Sequence, residues 1–281
     1  MNLLRKVCCI AAVIALSGPV SHAADPPGGD SNLVSITTKK EGDHVRIIAR
    51  TLQLADVTVT IEADLVNMRC HVPLPHTVVC PGLKDTEILS IWRGESGQTW
   101  HYSYKDHYFA GDPRVRHDAS QVYALPYASG KHYVVIQGFN GKFSHFGDSQ
   151  YSIDWGMPVG SEVRACRAGV VVATKDDSDV GGPDREFMRW ANYVMIKHQD
   201  GTYGVYMHLM KDGVHVKGGQ RVEAGTVLGY SGNTGFSSKP HLHFCVCRPV
   251  DGTHRETFPI CFKTSNEVRA TLAQGKTYTA P

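Results

Sequence analysis

The sequence has little excess charge and no long apolar segment. Of its 281 residues, 29 are basic and 27 are acidic, which gives a net charge of +2 when histidine is neutral. A nucleic-acid-binding protein would show a clustered basic stripe, so the composition argues against that class. The apolar run near the start covers only residues 7–16, whereas a membrane-spanning helix needs about 20 apolar residues. We therefore expect neither a nucleic-acid partner nor a membrane span.

The sequence also lacks a His-Glu-x-x-His run. Where that motif occurs on a helix, two histidines bind zinc and the glutamate acts as general base. That arrangement is excluded here. Cys-x-x-Cys pairs are absent as well, which argues against a zinc site built from cysteines. Metal chemistry in this chain must use another set of ligands.

The first 23 residues predict a secretory signal peptide. Arg5 and Lys6 form a basic start, residues 7–16 form a short apolar core, and Ser21-His22-Ala23 has the small residues of a cleavage site. Cleavage after Ala23 would leave enough chain for two domains of ordinary size. We expect an exported protein, with the bacterial periplasm favoured over secretion into the medium.

Six of the eight cysteines follow this segment. An even number of cysteines in an exported chain predicts disulfides. Cys70 and Cys80 bracket a proline-containing loop and are predicted to pair with each other. A zinc site at Cys245-Val246-Cys247 is an alternative use of two others, and an oxidising compartment argues against it. The four cysteines whose pairing stays open are Cys166, Cys245, Cys247 and Cys261.

Residues 24–138 predict an N-terminal β-sandwich. After a Pro/Gly-rich stretch, short β-rich runs follow at intervals of about ten residues, with turn residues between them. We predict an immunoglobulin-like domain without catalytic residues. It is the candidate for binding a protein partner, for covering the site, or for packing alone. The clearest runs are Val45–Ile48, Val57–Ala63, Thr77–Val79 and Glu87–Trp92.

Residues 139–264 predict a second, nearly all-β domain. A polar loop at residues 176–189 is long enough to be functional and could form one wall of a groove. Residues 265–281 are predicted to form a tail with a short helix, because Thr264-Ser265-Asn266-Glu267 at its start resembles a capping box. The predicted strands are Val170–Thr174, Tyr193–His198, Tyr203–His208, Val227–Tyr230 and Leu242–Cys247.

Two histidines one residue apart, His241 and His243, are the most informative feature of the chain. Side chains at positions i and i+2 of a strand project from the same face, so both imidazoles would point to one place. A catalytic zinc site needs three protein ligands and an open position. Three further candidates lie upstream in strand-like or glycine-rich surroundings: His145, Asp154 and His208.

The order of these motifs resembles the catalytic domain of the lysostaphin/LytM-type zinc metallopeptidases, which are peptidoglycan endopeptidases. The resemblance runs from about residue 142 to residue 247. It comprises a first histidine, an aspartate followed by Pro-x-Gly, a Val-x-Ile-x-His strand, Tyr-x-His-Leu, a glycine-rich turn series and His-Leu-His-Phe. It implies a mostly antiparallel β domain that binds Zn²⁺ and hydrolyses peptide cross-links of bacterial peptidoglycan.

The resemblance also implies the role of each site residue. In that family the first histidine, the aspartate and the second histidine of His-x-His hold the zinc, which here gives His145, Asp154 and His243. The remaining pair, His208 and His241, would serve as general base and as stabiliser of the tetrahedral intermediate.

One departure from the family leaves an alternative ligand open. The family separates its first histidine and aspartate by three residues, whereas eight residues separate His145 from Asp154. Asp148 is closer, but it lies in a predicted hairpin loop. We favour Asp154 because it lies at a predicted strand, and a strand holds a ligand more rigidly than a loop tip.

Two neighbouring residues have competing interpretations. Tyr206 precedes His208 by two residues and would share its face on a regular strand, where it could donate to a substrate carbonyl or pack within the sheet. His198 ends a predicted strand and is expected on a solvated face, with a catalytic role as the alternative.

Two other functions stay open at this point. One is a non-catalytic relative that binds or activates cell-wall hydrolases, and the other is a general secreted protease. The bond cut is also open. A periplasmic location would favour the D-alanyl to diaminopimelate bond, and a glycine bridge is the alternative.

Overall fold

The computed structural model describes residues 33–281, so the predicted signal peptide and the Pro/Gly-rich stretch lie outside the described residues. Strands dominate this range, and its helical segments are two 3₁₀ turns, Gly147–Ser149 and Arg185–Trp190. The predicted all-β class is confirmed. Within residues 33–281, no helix has the length and apolar character that crossing a membrane requires.

The first seven strands form two antiparallel sheets around one core. They are β1 (Val34–Glu41), β2 (His44–Thr51), β3 (Val57–Val66), β4 (Met68–Cys70), β5 (His76–Cys80), β6 (Asp85–Arg93) and β7 (His101–Ala110). The sheets have the orders β1-β2-β6-β4 and β5-β3-β7. Alternate apolar side chains, among them Ile47, Val59 and Ile91, are fully buried in one cluster. Because an immunoglobulin domain has the orders ABED and CFG, the predicted immunoglobulin-like topology is not confirmed.

A nine-stranded sheet forms the centre of the remaining chain. The strands from residue 122 onward are β8 (Val122–Ala124), β9 (His132–Gln137), β10 (Ile153–Trp155), β11 (Glu162–Arg164), β12 (Gly169–Lys175), β13 (Gly181–Gly182), β14 (Tyr193–Lys197), β15 (Tyr203–Met207), β16 (Leu209–Val214), β17 (Arg221–Val222), β18 (Val227–Ser231), β19 (Gly235–Phe236), β20 (Leu242–Pro249), β21 (Arg255–Thr257), β22 (Cys261–Lys263) and β23 (Thr277–Thr279). The order of the nine-stranded sheet is β17-β12-β14-β15-β20-β10-β9-β23, with β21 beside β20, and its pairs are antiparallel, as predicted.

The N-terminal sandwich packs against the face of the central sheet that carries His243. Along β20, the alternate residues His243, Cys245 and Cys247 share this face. Both cysteines belong to a buried cluster that includes Ala55 and Ala110 of the sandwich. The sandwich therefore covers part of the face on which the predicted site lies. Polar contacts across the same interface join Lys197 Nζ to Asp56 Oδ2 at 2.7 Å and the Thr174 amide to Gln53 Oε1 at 2.9 Å.

The predicted domain boundary at residue 138 needs correction. The strand β9 was placed in the first domain, but it pairs with β10 and β23 in the central sheet. The strand β8 pairs with β22, near the end of the chain. The pairings of β8 with β22 and of β9 with β23 join segments far apart in the chain. The local sequence pattern around β8 and β9 therefore does not show to which sheet these strands belong.

The tail does not form the predicted helix. Thr264 Oγ1 accepts hydrogen bonds from the amides of Asn266 and Glu267, as a helix cap would. The chain then turns back, and Ala270 exchanges backbone hydrogen bonds with Phe262. The last residues form β23 at the edge of the central sheet, so sheet pairing satisfies the backbone groups that a helix would have satisfied.

The predicted Cys70–Cys80 disulfide is not present. All six cysteines of residues 33–281 are free thiols. Cys70 lies in β4, opposite Ile91 of one sheet, whereas Cys80 lies in β5, opposite Val57 of the other. Cys80 is the last residue of β5, so that strand carries it about 13 Å beyond the loop that joins the two strands. A disulfide requires Cα atoms within about 7 Å of each other.

His198 is buried, and the prediction that it lies on a solvated face is wrong. Its side chain is 3% exposed, and its Nδ1 lies 3.1 Å from the carbonyl oxygen of Ala168. Burial disfavours the charged imidazole and outweighs that hydrogen bond, which lowers the pKa of His198 to about 4.

This burial predicts a loss of stability in mild acid. The folded pKa is below the unfolded value of about 6.5, so the unfolded chain binds more protons between these values and the free energy of unfolding falls as the pH falls from 6.5 to 4. The contribution of His198 is about 3 kcal/mol at most. Urea unfolding of the wild type and of His198→Gln at pH 7 and pH 4.5 should show a smaller pH effect in the variant. Equal pH effects would contradict this assignment.

Candidate metal centre

Strand pairing brings two of the predicted ligands together. Asp154 in β10 lies directly opposite His243 in β20. His243 Nδ1 and Asp154 Oδ1 are 2.8 Å apart, although 89 positions separate the two residues in the chain. Both side chains are buried. The pair lies in the middle of the central sheet, where the backbone is held on both sides.

The loop between β9 and β10 adds His145 to this pair. His145 is fully buried, and its Nε2 lies 3.2 Å from Asp154 Oδ2. The additional residues between His145 and Asp154 include the 3₁₀ turn, which begins at Gly147 with a φ of 55°. This left-handed glycine and the turn reverse the chain, so the long gap still lets both side chains meet.

The three side chains have the geometry of a zinc site. One potential ligand atom from each of His145, Asp154 and His243 lies within 4.8 Å of the others. Zinc bonds of about 2.0–2.2 Å in a tetrahedron separate two ligand atoms by roughly 3.3 Å. The 3.2 Å between His145 Nε2 and Asp154 Oδ2 matches this spacing, whereas His243 Nδ1 and Asp154 Oδ1 lie closer together, at 2.8 Å. Two imidazoles and a carboxylate are a donor set that zinc accepts.

Neighbouring groups orient these three side chains. His145 Nδ1 lies 2.9 Å from the carbonyl oxygen of Gly138. Donation of the Nδ1 proton to that oxygen leaves Nε2 available as a ligand. Gln137 Nε2 donates to Ser144 Oγ at 2.7 Å and lies 3.5 Å from Asp154 Oδ2. The sequence does not single out Gln137, and only its position at the end of a strand could have indicated a role.

The Asp154 carboxyl is held in its ionised form. Burial alone would raise its pKa, but the charges of His145 and His241 and the hydrogen bonds from His145 and His243 outweigh burial. The pKa of Asp154 therefore lies well below its ordinary value. An ionised carboxylate is the form that binds a metal.

Asp148, the alternative ligand, does not belong to this group. Its carboxylate lies 3.7 Å from His254 Nδ1, and its backbone carbonyl accepts a hydrogen bond from Arg255 Nε at 3.2 Å. The structure therefore places Asp154, and not Asp148, beside His145 and His243.

His208 approaches the same centre through an unusual backbone conformation. Its φ is 65°, which lies in the left-handed region that residues other than glycine rarely adopt. This conformation breaks the alternation of β15, so His208 does not share the face of Tyr206. Tyr206 lies on the opposite face, where its hydroxyl accepts a hydrogen bond from the Cys166 amide at 2.7 Å. Of the two interpretations of Tyr206, packing within the sheet is confirmed.

His208 and His241 lie side by side, with ring centroids 4.5 Å apart. His208 Nδ1 is 2.7 Å from the Thr234 carbonyl oxygen, and His241 Nδ1 is 2.8 Å from that of Lys239. Since each Nδ1 can donate to a carbonyl, each Nε2 is the nitrogen that can exchange a proton. His241 Nε2 lies 3.9 Å from Asp154 Oδ1. The pair is therefore adjacent to the three grouped side chains.

A cavity of about 260 Å³ opens over this centre. Phe143 and Phe236 form one wall, with stacked rings 5.9 Å apart. The predicted loop at residues 176–189 does not line the cavity itself. Its strand β13 pairs with β19, so it supports the segment that contains Phe236.

Residues 148–255 match the family model described as peptidase family M23. The chain carries an M23 domain. The matched range includes Asp154, His208, His241 and His243 and begins three residues after His145. Zinc is the metal of M23 metallopeptidases, and the group formed by His145, Asp154 and His243 fits it.

The curated relatives match part of the chain. Glycyl-glycine endopeptidase ALE-1 of Staphylococcus capitis is 39% identical over 99 residues, which are 35% of this chain and 24% of that protein. Peptidoglycan DD-endopeptidase ShyA of Vibrio cholerae is 40% identical over 101 residues, 35% of this chain and 21% of that protein. The chain thus spans about a quarter or less of the length of these relatives.

A solved structure matches over a similar part. The catalytic domain of the antimicrobial peptidase lysostaphin from Staphylococcus simulans is 28% identical, with a TM-score of 0.30, and the match covers 41% of this chain and 78% of that one.

Proposed function

We propose that this protein is a zinc metalloendopeptidase that hydrolyses peptide cross-links of bacterial peptidoglycan. The observation that carries the proposal is the grouping of His145, Asp154 and His243 beside the imidazoles of His208 and His241, at the base of an open cavity. The names of the relatives, a glycyl-glycine endopeptidase and a peptidoglycan DD-endopeptidase, support the choice of peptidoglycan.

The proposed roles follow from position and hydrogen bonding. His145, Asp154 and His243 hold the metal. When bound, zinc lowers the pKa of a coordinated water and polarises the carbonyl of a peptide bond. His208 and His241 lie beside this centre, one to accept a proton at Nε2 and the other to stabilise, through Nε2, the negative charge that develops on the carbonyl oxygen. Their Nδ1 bonds to backbone carbonyls fix both rings in these orientations.

Two alternatives are less well supported. A non-catalytic relative would be expected to lack part of the ligand set, whereas the complete set is grouped here. A general secreted protease would use the same residues, and only its substrate would differ. We further propose that the protein is exported to the periplasm through residues 1–23, and that the N-terminal sandwich is the surface for any protein partner.

Digestion of purified peptidoglycan tests the proposal. Residues 24–281, loaded with zinc, should release un-cross-linked peptides from peptidoglycan, and mass spectrometry of the products should locate the bond that is cut. A chelator should abolish release, and added zinc should restore it. Casein serves as the control substrate. Cleavage of casein without release from peptidoglycan would favour the general protease, and zinc binding without any cleavage would favour the binding protein.

A further inference from the structure

The cavity over the metal centre contains one additional charged side chain. Among the described residues that line it, Lys239 is the only charged residue other than the proposed site residues. The remaining lining residues are neutral: Ile136, Gln137, Phe143, Ser144, Phe236, Ser237, Ser238 and Gln274. Lys239 is therefore the single lysine or arginine among the residues that a substrate in this cavity would contact.

The backbone of Lys239 is fixed beside the reacting groups. Its carbonyl oxygen lies 2.8 Å from His241 Nδ1 and 2.9 Å from Ser237 Oγ, and Ser237 is 3% exposed. Pro240 follows directly and restricts the backbone further. The side chain of Lys239 is exposed, and within residues 33–281 no carboxylate forms an ion pair with it. Its ammonium group is therefore available to a ligand and is attached close to His241.

We propose that Lys239 is a specificity residue that binds a substrate carboxylate next to the scissile bond. This inference rests on the proposed peptidase function and selects one of its two substrate classes. In a D-alanyl–diaminopimelate cross-link, the carbon attached to the scissile nitrogen carries a carboxylate. A glycine bridge carries none. An ammonium and a carboxylate form a charge-assisted hydrogen bond, which is stronger in a partly shielded cavity than in water.

The aromatic part of the cavity lining fits the rest of such a substrate. Phe143 and Phe236 present stacked rings to the cavity, and 64% of Phe143 is exposed. An apolar wall suits the methyl and aliphatic groups of an alanyl-diaminopimelate peptide better than it suits a bridge of glycines, which has no side chains to bury.

The test compares two peptide dimers that differ in one group. Both are cross-linked through D-alanyl–diaminopimelate, and in one of them the carboxylate beside the scissile bond is amidated. The kcat/KM for each dimer is measured with the zinc-loaded wild type, Lys239→Gln, Lys239→Arg and Lys263→Gln. Lys263 is exposed on β22, outside the cavity, and provides the same charge change elsewhere.

The wild type should prefer the carboxylate dimer by about tenfold or more. Lys239→Gln should cleave the two dimers with similar kcat/KM values, whereas Lys239→Arg and Lys263→Gln should retain the preference. An unchanged preference in Lys239→Gln, or equal cleavage of both dimers by the wild type, would overturn the role of Lys239 and leave the proposed function intact. A wild type that cleaves neither dimer but still releases peptides from peptidoglycan would overturn the role of Lys239 alone, whereas one that cleaves neither dimer and releases nothing from peptidoglycan would overturn both.

Discussion

Replacing Asp154 with alanine should remove zinc and activity together. The wild type should contain roughly one zinc per chain, and Asp154→Ala should contain almost none, because the two remaining imidazoles cannot complete the site. Elemental analysis of the purified proteins measures the metal, and peptidoglycan digestion measures activity. His243→Ala should behave in the same way, since His243 belongs to the same group of three and its Nδ1 lies 2.8 Å from Asp154 Oδ1.

Asp148→Ala is the matched control for this experiment. Asp148 is the other acidic residue close to His145 in sequence, and the structure places its carboxylate near His254 instead. It should retain both zinc and activity. Zinc retained in Asp154→Ala but lost in Asp148→Ala would exchange the two assignments. A wild type that takes up no zinc, even when zinc is added, would leave the binding-protein alternative as the better one.

Replacing His208 or His241 with alanine should separate metal binding from catalysis. Neither side chain belongs to the group formed by His145, Asp154 and His243, so zinc should remain at the wild-type level. Turnover should fall about 100-fold or more in each variant, because a positioned acid–base group contributes a factor of this size. That factor corresponds to about 2.7 kcal/mol of transition-state stabilisation. Single-turnover rates on a cross-linked dimer, beside zinc content, provide the measurement.

His215→Ala is a suitable control, because His215 packs against Tyr230 away from the cavity. It should keep both zinc and turnover. Wild-type turnover in His208→Ala would reject its assignment as a catalytic group. Loss of zinc from that variant would instead add His208 to the ligands.

The sequence was most informative where the relevant contacts are local. The predicted strand runs all lie within observed strands to within one residue, because alternation of apolar and polar side chains follows directly from strand geometry. His241 and His243 contribute to one site for the same reason. At Thr264 the capping hydrogen bonds form, but the helix predicted from that pattern does not, because local hydrogen bonds do not determine what the following residues pair with.

Predictions failed where distant segments compete for the same groups. The tail pairs with β9 and not with itself, and Cys70 and Cys80 lie in different sheets. The sequence pattern predicts an exposed position for His198 at the end of its strand, yet other segments of the fold bury this residue. None of these partners is close in the chain, so no local pattern could specify them.

The sequence by itself determined the strand content, the resemblance to zinc metallopeptidases and the candidate residues of the site. The tertiary structure alone decided how those residues meet. Antiparallel pairing of β10 with β20 sets Asp154 opposite His243, the turn after His145 closes a gap longer than the family uses, and the left-handed backbone at His208 directs its ring away from the face of Tyr206. The physical reason is that side-chain alternation is encoded residue by residue, whereas strand register and chain reversal depend on contacts between segments far apart in sequence.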